Sequence, residues 1–486
     1  LHLAGQRAGL LGAGEQGGGV GVESLAGGRE PHALAVAVEE PRADAGLQLL
    51  DGHGQRRLRD GQALRGAVAV PEGLPAWQRM LRVAGPGLLV SVGYMDPGNW
   101  ATDIEAGARY GTSLLFVVVL SSLAAIVLQT LSMRLGLVTG KDLARMSRDQ
   151  FGPRAVKVQW LLAELAIIAC DIAEVLGTAL AFKLLLGVPL WGGVLLTALD
   201  TIIILGLKGK GFRQLEAIIL GLISTVGICF LVQLILAPPN AGEVARGLVP
   251  SLDALQQGNA LYLAIGILGA TIMPHNLYLH SSIVQTRLTP ADEPGKRAAI
   301  RLSTIDTVVS LLLALFINAA ILVLAASAFH GRGMTEVAGI EEAHQLLAPV
   351  TGGALAGVLF AIALFASGQS STFTGTIAGQ VILEGFLNLK IPCWQRRLIT
   401  RGLAIVPALI GVLTLGEHSV GKLLVLTQVV LPAQLPFAIW PLLRFTDDKA
   451  LMGAFANGWI TKAVAWFLFV VISAANVWLV VSTFSG

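Results

Sequence analysis

Two short polar segments interrupt apolar stretches of this 486-residue chain. Residues 96–99 read Asp-Pro-Gly-Asn, and residues 273–276 read Met-Pro-His-Asn. Proline removes a helical hydrogen bond and clashes with the preceding turn, so Pro97 and Pro274 are predicted to unwind a helix at each segment. Because the freed carbonyls lie beside a carboxylate, an amide and a thioether, the two segments together predict a cation site.

The side chains at these breaks favour a transition-metal ion. Asp96, Asn99 and Met273 offer a carboxylate, an amide oxygen and a sulfur. This mixed set suits a borderline first-row ion, whereas hard Mg²⁺ and Ca²⁺ prefer shells of oxygen alone. Two alternatives stay open. Asp96 is also a suitable cap for the helix that follows it, and Met273 is also a suitable gap-filling core residue.

Composition places these breaks in a membrane. The mean hydropathy is +0.71, and 13% of the residues are charged, against about 25% in a typical soluble domain. Non-helical backbone at membrane depth is tolerated only where it is buried in protein or lines a cavity. Interrupted spans in two halves of a chain are typical of a transport site. The net charge of +3 is too small and too dispersed to indicate nucleic-acid binding.

Apolar runs predict an all-α polytopic membrane protein with eleven spans. Their approximate cores are 81–107, 112–137, 157–186, 190–206, 213–236, 258–286, 300–328, 353–384, 398–415, 419–443 and 456–484. The interrupted spans are the first and the sixth, so they run in opposite directions. Residues 81–236 and 258–443 are therefore predicted to form an inverted repeat, with 456–484 as an added helix. The loops after even-numbered spans hold most of the Lys and Arg, which predicts a cytoplasmic N-terminus and an external C-terminus.

Residues 1–76 differ from the rest of the chain. They contain no Phe, Tyr, Trp, Ile, Lys or Met, so they can bury little apolar area to offset the entropy of ordering. We expect this segment to be disordered, and residues 77–486 to form the membrane domain. Because the chain begins with Leu1, we also expect an over-extended start, with translation beginning near Met80; a regulatory tail is the alternative.

The third predicted span carries three acids, Glu164, Asp171 and Glu174. Offsets of seven and three residues place them on one helical face. Each acid at the membrane centre costs about 2.5 to 3.5 kcal/mol on insertion scales, so the stripe predicts a proton path. The alternative is a set of ion pairs with the arginines of the ninth span, which are Arg396, Arg397 and Arg401. Such pairs are compatible with proton relay, because charged neighbours tune the pKa of a carboxyl group.

The stretch from Gly93 to Asn99, taken with the stretch from Ala270 to Asn276, resembles the Nramp family of proton-coupled divalent metal transporters, especially its bacterial manganese type. The resemblance covers about residues 80–486. It implies a LeuT-like fold of eleven helices, alternating access, and uptake of Mn²⁺ or Fe²⁺ with protons across a bacterial inner membrane. It implies no resident cofactor, no nucleic acid and no obligatory protein partner.

The resemblance also implies roles for individual residues. The implied metal ligands are Asp96, Asn99, the Met273 sulfur and the carbonyls of Gly93 and Ala270, with Gln428 and Asn318 at polar positions along the metal path. The implied proton route contains Asp171, Glu174 and an arginine near the start of the ninth span, here Arg397, with Glu164 and His275 as neighbours. Family members usually have Ala where Gly93 stands.

Other functions remain as alternatives. A Mg²⁺-type relative is one, although the Met273 thioether argues against it. A Na⁺-coupled amino-acid carrier of the same fold is another. A membrane enzyme or a metal-sensing receptor is a third, but the sequence has no visible nucleophile triad, HExxH motif or soluble sensor domain.

Overall fold

A computed structural model describes residues 68–69, 75–199, 212–288, 292–337, 339–351, 353–389, 391–416 and 420–485. These residues are helical except for loops and one pair of two-residue strands. The predicted all-α class is therefore confirmed. Long apolar runs form helices here, because lipid leaves every backbone N–H and C=O to be satisfied within the chain.

The helices are numbered here in chain order. They are α1 Ala76–Val83, α2 Pro86–Ser91, α3 Pro97–Tyr110, α4 Leu115–Thr139, α5 Leu143–Gln150, α6 Pro153–Leu186, α7 Leu190–Leu196, α8 Phe212–Leu236, α9 Ala241–Gly247, α10 Leu252–Leu255, α11 Ala260–Thr271, α12 Pro274–Ile283, α13 Glu293–Ala328, α14 Ile340–Thr351, α15 Ala354–Leu387, α16 Cys393–Leu415, α17 Val420–Val430, α18 Leu435–Asp447, α19 Lys449–Met452 and α20 Trp459–Ser485. Short 3₁₀ turns extend several of them, notably Val92–Met95 after α2 and Leu431–Gln434 after α17.

Nine helical stretches within the described ranges are long and apolar enough to cross a membrane. Two shorter apolar stretches, Pro86–Met95 and Leu190–Leu199, coincide with the first and fourth predicted spans. The fourth span was predicted to run to residue 206, and residues 200–211 lie outside the described residues. The count of eleven spans therefore stays a prediction.

The helices divide into central and peripheral ones. The most apolar part of Ala260–Thr286 is 83% buried and that of Pro153–Leu186 is 78% buried, whereas that of Trp459–Leu479 is only 17% buried. Central α6 packs along α15, and α13 packs against both α3 and α4. The stretch with the second break, Ala260–Thr286, and the stretch with the acid stripe, Pro153–Leu186, thus lie inside the bundle. The exposed apolar side chains of the outer helices face lipid.

Glycines permit the close approach of helices at the first break. A Cβ added to Gly177 of α6 would overlap the ring of Pro97, and one added to Gly107 of α3 would overlap the Leu322 carbonyl of α13. Small residues at crossings are the usual means by which membrane helices gain packing contacts, since lipid is as apolar as the side chains. The break is held tightly between α6 and α13 for this reason.

The N-terminal segment includes a short ordered piece. Strand β1, Val68–Ala69, pairs in parallel with strand β2, Arg287–Leu288. This pairing lies before residue 76, and the predicted domain boundary there stays a prediction. Residues 1–67 lie outside the described residues, and their predicted disorder stays a prediction.

Candidate functional site

Both predicted helix breaks are present. In the first, the 3₁₀ turn ends at Met95, Asp96 is extended with φ −68° and ψ 165°, and α3 begins at Pro97. In the second, α11 ends at Thr271, and α12 restarts at Pro274 after an extended Met273 with φ −83° and ψ 122°. Each proline is the first residue of the new helix, where its missing N–H costs nothing.

The prolines also determine which carbonyls lose a helical partner. In an α-helix the N–H of residue i donates to the carbonyl of residue i−4. Pro97 and Pro274 have no N–H, so the carbonyls four residues earlier, those of Gly93 and Ala270, cannot receive that bond. Both residues are buried. These are the two backbone oxygens that the resemblance implies as metal ligands. Their missing helical hydrogen bond gives a physical reason for that implied role.

Asp96 combines the two roles considered for it. Its Oδ1 accepts a hydrogen bond of 2.9 Å from the Asn99 backbone N–H, which caps α3. Its Oδ2 is buried and has no hydrogen-bond partner among the described residues. A buried carboxylate oxygen left unpaired is costly. One oxygen of Asp96 therefore holds the helix start, and the other is available to a cation.

The amides of Asn99 and Asn318 are oriented by one backbone oxygen. Asn99 Nδ2 donates to the Tyr94 carbonyl, and Asn318 Nδ2 donates to the same carbonyl at 2.7 Å. Because both NH₂ groups are engaged there, both Oδ1 atoms point elsewhere, and both are buried without a partner in the described part of the chain. The shared carbonyl thus leaves two amide oxygens free at the break.

Gln428 of α17 lies against both breaks. A Cβ at Gly98 would overlap the Gln428 amide, and a Cβ at Gly269 of α11 would come within 2.8 Å of the Gln428 carbonyl. The Gln428 side chain donates to Thr427 Oγ1 at 3.1 Å, and its buried Oε1 has no partner within the described ranges. Gln428 therefore adds an unpaired amide oxygen next to α3.

Met273 is completely buried. It forms a small apolar cluster with residues of α6 and of the turn after α17, namely Ala166, Ala169, Cys170 and Leu431. Asp96 lies close enough to Cys170 for the two groups to interact electrostatically. The structure therefore brings Asp96 and Met273 to the same part of α6.

The cradle, defined here as Asp96, Asn99, Gln428, Met273 and the two carbonyls, differs from common metal sites. Among the described residues no three His, Cys, Asp or Glu side chains meet in a way that could hold a metal ion. The cradle has one acid, and its other groups are neutral oxygens and a thioether. The chemistry of such a set suits a borderline first-row ion better than a hard one.

The acid stripe of α6 faces the arginines of α16. Glu164 pairs with Arg396 at 2.7 Å, and Asp171 pairs with Arg397 at 2.8 Å. Glu174 lies 3.8 Å from Arg397, and its second arginine neighbour is 3.9 Å away at Arg401. The ion pairs considered as the alternative are therefore present, and they form a ladder of three acids and three arginines across two helices.

Cys170 connects the cradle to the ladder. Its Sγ lies 3.7 Å from Glu174 Oε1, which also accepts a 2.8 Å hydrogen bond from Ser371 of α15. The same cysteine packs against Met273. Gly375 of α15 leaves space here, since a Cβ on it would stand 3.0 Å from Glu174 Oε1. Glu174 is consequently the ladder acid that reaches Cys170.

The histidines of α12 occupy different environments. His275 is buried, its Nδ1 has no partner among the residues described, and it interacts electrostatically with Asp171. His280 Nδ1 lies 3.0 Å from the Gln129 amide oxygen, and Gln129 donates to the Tyr94 hydroxyl at 2.7 Å. His280 therefore ties α12 to α4, while His275 faces the side of the ladder.

Gly93 packs closely against the second break. A Cβ at this position would overlap the side-chain amide of Asn276. Asn276 is fully buried, and neither polar atom of its side chain has a partner in the part of the chain described. Glycine here lets the two breaks approach each other closely.

Sequence reasoning missed two residues at this site. Asp103 lies seven residues after Asp96 on α3, is 2% exposed, and has an unpartnered Oδ2 within the described structure. The available signal was the same as for Asp96, an acid inside an apolar span. Cys170 touches both Met273 and Glu174, and its sequence neighbourhood gives no sign of either contact.

Comparison with known proteins connects this arrangement to a family. A family model described as natural resistance-associated macrophage protein-like, Nramp, matches residues 87–482. The divalent metal cation transporter MntH of Ralstonia nicotianae is 68% identical over 423 residues, which is 87% of this chain and 96% of the relative.

Solved structures agree with that match. The crystal structure of a mutant manganese transporter from Eremococcus coleocola superposes with a TM-score of 0.80 at 38% identity, covering 86% of this chain and 90% of that one. The nucleobase-cation-symport transporter Mhp1 gives a TM-score of 0.55 at 13% identity over 82% of this chain and 93% of its own. At this low identity, the match to Mhp1 shows only that the two proteins share a fold.

Proposed function

The chain belongs to the Nramp family and is a multi-pass divalent metal cation transporter of LeuT-like fold, and from that premise we propose that it imports Mn²⁺, and with it Fe²⁺, together with protons. The observation that carries the proposal is the cradle. It places one carboxylate oxygen, two side-chain amide oxygens and a thioether at two facing helix breaks. We place the protein in a bacterial inner membrane with a cytoplasmic N-terminus, as the loop charges predict.

The choice of metal follows from the donor set. A thioether adds little for Mg²⁺ or Ca²⁺, which prefer oxygen ligands, but suits the softer first-row ions. The crystal structure with the higher similarity is named a manganese transporter, which supports Mn²⁺. Fe²⁺ has similar ligand preferences, so the cradle by itself does not discriminate strongly between the two.

Proton coupling is proposed from charge. A divalent ion and a proton on Asp96 repel, so an arriving metal should expel a proton from that carboxyl group. The ladder begins close by, since Glu174 contacts Cys170 and Cys170 packs on Met273. We take Asp171 as the first acceptor and Glu174 as its tuning neighbour, because two neighbouring acids titrate at separated pH values.

Release of the metal requires movement of the segment before the first break. Asp306 of α13 accepts from the backbone N–H of Gly87 at 2.8 Å and of Gly85 at 3.3 Å. Arg287 binds the Val83 carbonyl at 3.0 Å and pairs with Glu216 of α8. These bonds tie the start of α2 to α8 and α13. We propose that they break as the metal leaves between the first halves of the interrupted spans, while the proton leaves along α6.

The test is transport by the purified chain in liposomes. Mn²⁺ uptake is followed with an internal metal indicator and proton entry with an internal pH dye, with an inward-directed pH gradient and without one. We expect uptake that is faster with the gradient and accompanied by acidification. Liposomes without protein provide the control for leak.

Three results would contradict the proposal. Mn²⁺ uptake that is indifferent to the pH gradient and leaves internal pH unchanged would remove the proton coupling. Competition by Mg²⁺ as effective as that by Fe²⁺ would favour a Mg²⁺-type relative. Uptake of an amino acid driven by Na⁺, in place of metal uptake, would remove the proposed substrate altogether.

A further inference from the structure

A polar cavity lies away from the cradle, between the ends of three helical segments. Its volume is about 340 Å³, and it is lined by Arg134 of α4, by Arg297, Ile300 and Arg301 of α13, and by residues 454–456, which join α19 to α20. Three of the seven lining residues are arginines, and no carboxylate is among them. Like charges brought together this way repel one another unless an anion is bound.

The arginines are positioned by neighbours rather than neutralised. Arg134 donates to the Asn457 amide oxygen, and Asn457 is itself held by donating to Asp447 at 2.7 Å. The Arg134 Nε is buried with no partner in the described residues. The guanidinium of Arg297 lies over the Phe455 ring at 5.4 Å. These contacts fix two of the cationic groups at the cavity before any ligand is present.

The neighbouring acids leave much of the positive charge in place. Glu293 bonds Arg297, but both side chains are more than half exposed, so the pair is screened by solvent and weak. Asp447 interacts electrostatically with Arg134, but it is shared with Lys462 at 3.5 Å and with the Trp466 indole at 2.9 Å. Arg301 is exposed and has no ion pair in the described structure. The cavity therefore has a net positive field.

The arginines of the cavity lie near helix ends, where a lipid headgroup could reach them. Arg134 lies five residues before the end of α4, and the two arginines of α13 lie four and eight residues after its start. At 1.5 Å per residue these positions are about 6 to 12 Å inside the helix ends. Trp459 begins α20 three residues after the last lining residue and is 80% exposed, and exposed tryptophans concentrate at the membrane interface.

We propose that this cavity binds the phosphate of an anionic phospholipid such as phosphatidylglycerol. Arg297 and Arg301 contact the phosphate oxygens from α13, Arg134 supports them from α4, and Ile300 and Phe455 contact the glycerol and first methylenes. Basic pockets between membrane helices are suited to anionic headgroups, because each arginine near the surface adds attraction for them. A bound lipid would link α4, α13 and the connection to α20. The proposal is independent of the metal cradle.

The test measures lipid binding to the full-length protein in a neutral detergent. Short-chain phosphatidylglycerol and phosphatidylcholine are titrated, and the apparent Kd of each is obtained from the rise in melting temperature. We expect the wild type to bind phosphatidylglycerol more tightly. Arg301→Gln should weaken that binding about fivefold, and Arg297→Gln/Arg301→Gln about twenty-five-fold, as expected for the loss of one and two surface arginines.

The controls distinguish the effect of charge from that of folding, and a lipid headgroup from a soluble anion. Arg301→Lys retains the charge and should retain most of the binding, and Arg154→Gln, at an exposed arginine near the start of α6, should bind as the wild type does. Melting in phosphatidylcholine alone checks that each variant is folded. Unchanged phosphatidylglycerol affinity in the double variant would overturn the proposal, as would equal affinity for the two lipids. Inorganic phosphate that stabilises the wild type as much as phosphatidylglycerol does would assign the cavity to a soluble anion instead.

Discussion

The cradle and the ladder are neighbours, but among the described residues only the ladder has cationic side chains beside its acids. In the cradle, Asp96 Oδ2, Asn99 Oδ1 and Gln428 Oε1 lack partners among the described residues. In the ladder, each acid of α6 also has one oxygen without a hydrogen bond in the described structure, but each has an arginine of α16 within 4 Å. Unpaired buried oxygens are costly and become favourable only with a cation. The cradle is therefore suited to a transient ion, and the ladder to charge that stays in the protein.

The acids of the ladder are paired with arginines, but their side chains differ in solvent exposure. The Glu164 side chain is 16% exposed, whereas those of Asp171 and Glu174 are 1% exposed. Buried ion pairs contribute little net stability compared with apolar packing, and removing one partner is strongly destabilising. Retaining such pairs inside a membrane bundle is consistent with a functional role, which the following variants test.

The largest effect should come from Asp96, and two replacements separate its two roles. Asp96→Ala removes both the cap and the charge, so it should abolish Mn²⁺ uptake and lower stability by about 1 kcal/mol. Asp96→Asn caps a helix as well as aspartate does, so it should keep the melting temperature and still abolish uptake. Uptake assays in liposomes and thermal unfolding measure the two. Substantial uptake by Asp96→Asn would show that the carboxylate only caps α3.

The next effect concerns the centre of the ladder. Asp171→Asn cannot take up a proton as a carboxylate does, so metal-evoked proton flux should be lost while metal binding remains measurable. The variant removes the 2.8 Å partner of Arg397 and leaves Glu174 at 3.8 Å, so the loss of stability should not exceed about 3 to 5 kcal/mol, the cost of a broken buried pair. Paired pH-dye and metal-indicator recordings in liposomes, with metal binding by calorimetry, measure both properties.

A matched variant distinguishes proton transfer from folding. Asp171→Asn/Arg397→Gln removes both charges, so it should recover much of the lost stability and remain without proton flux. Wild-type proton flux per metal ion in either variant would exclude Asp171 as the acceptor. Flux that returns together with stability in the double variant would show that the ladder only supports the fold.

A smaller effect is expected from the sulfur of the cradle. Met273→Ala removes the soft ligand but leaves the oxygens, so Mn²⁺ transport should persist while Ca²⁺ or Mg²⁺ competes more effectively. Met273→Leu keeps the buried volume and serves as the control for packing, and it should show the same loss of discrimination. Competition uptake with each ion measures this. Unchanged discrimination in both variants would make Met273 a packing residue.

The smallest effect should come from the outer pair of the ladder. Glu164 is the most exposed of the three acids, so water can screen and replace its interaction with Arg396. Glu164→Gln should therefore change proton flux by no more than about twofold. A loss as large as that of Asp171→Asn would show that the whole stripe, and not only its buried part, carries the proton.

Some features of the site could be predicted from residue order because their causes are local. Pro97 and Pro274 break helices through their own missing N–H and their clash with the preceding turn. The spacing of Glu164, Asp171 and Glu174 places them on one face wherever that helix lies. The paired motifs likewise indicated the family that the comparisons then showed.

Other features depend on contacts between distant helices, and only the tertiary structure decided them. Residue order offered three arginines for the acids, and the packing of α16 against α6 assigned Arg396 to Glu164 and Arg397 to Asp171. It likewise brought Gln428 onto Gly98 and made Cys170 the contact between Met273 and Glu174. Residue order determines the period and the breaks of each helix, because backbone hydrogen bonding is short-range. Which faces meet depends on how closely small residues let helices approach, and that is a property of the whole bundle.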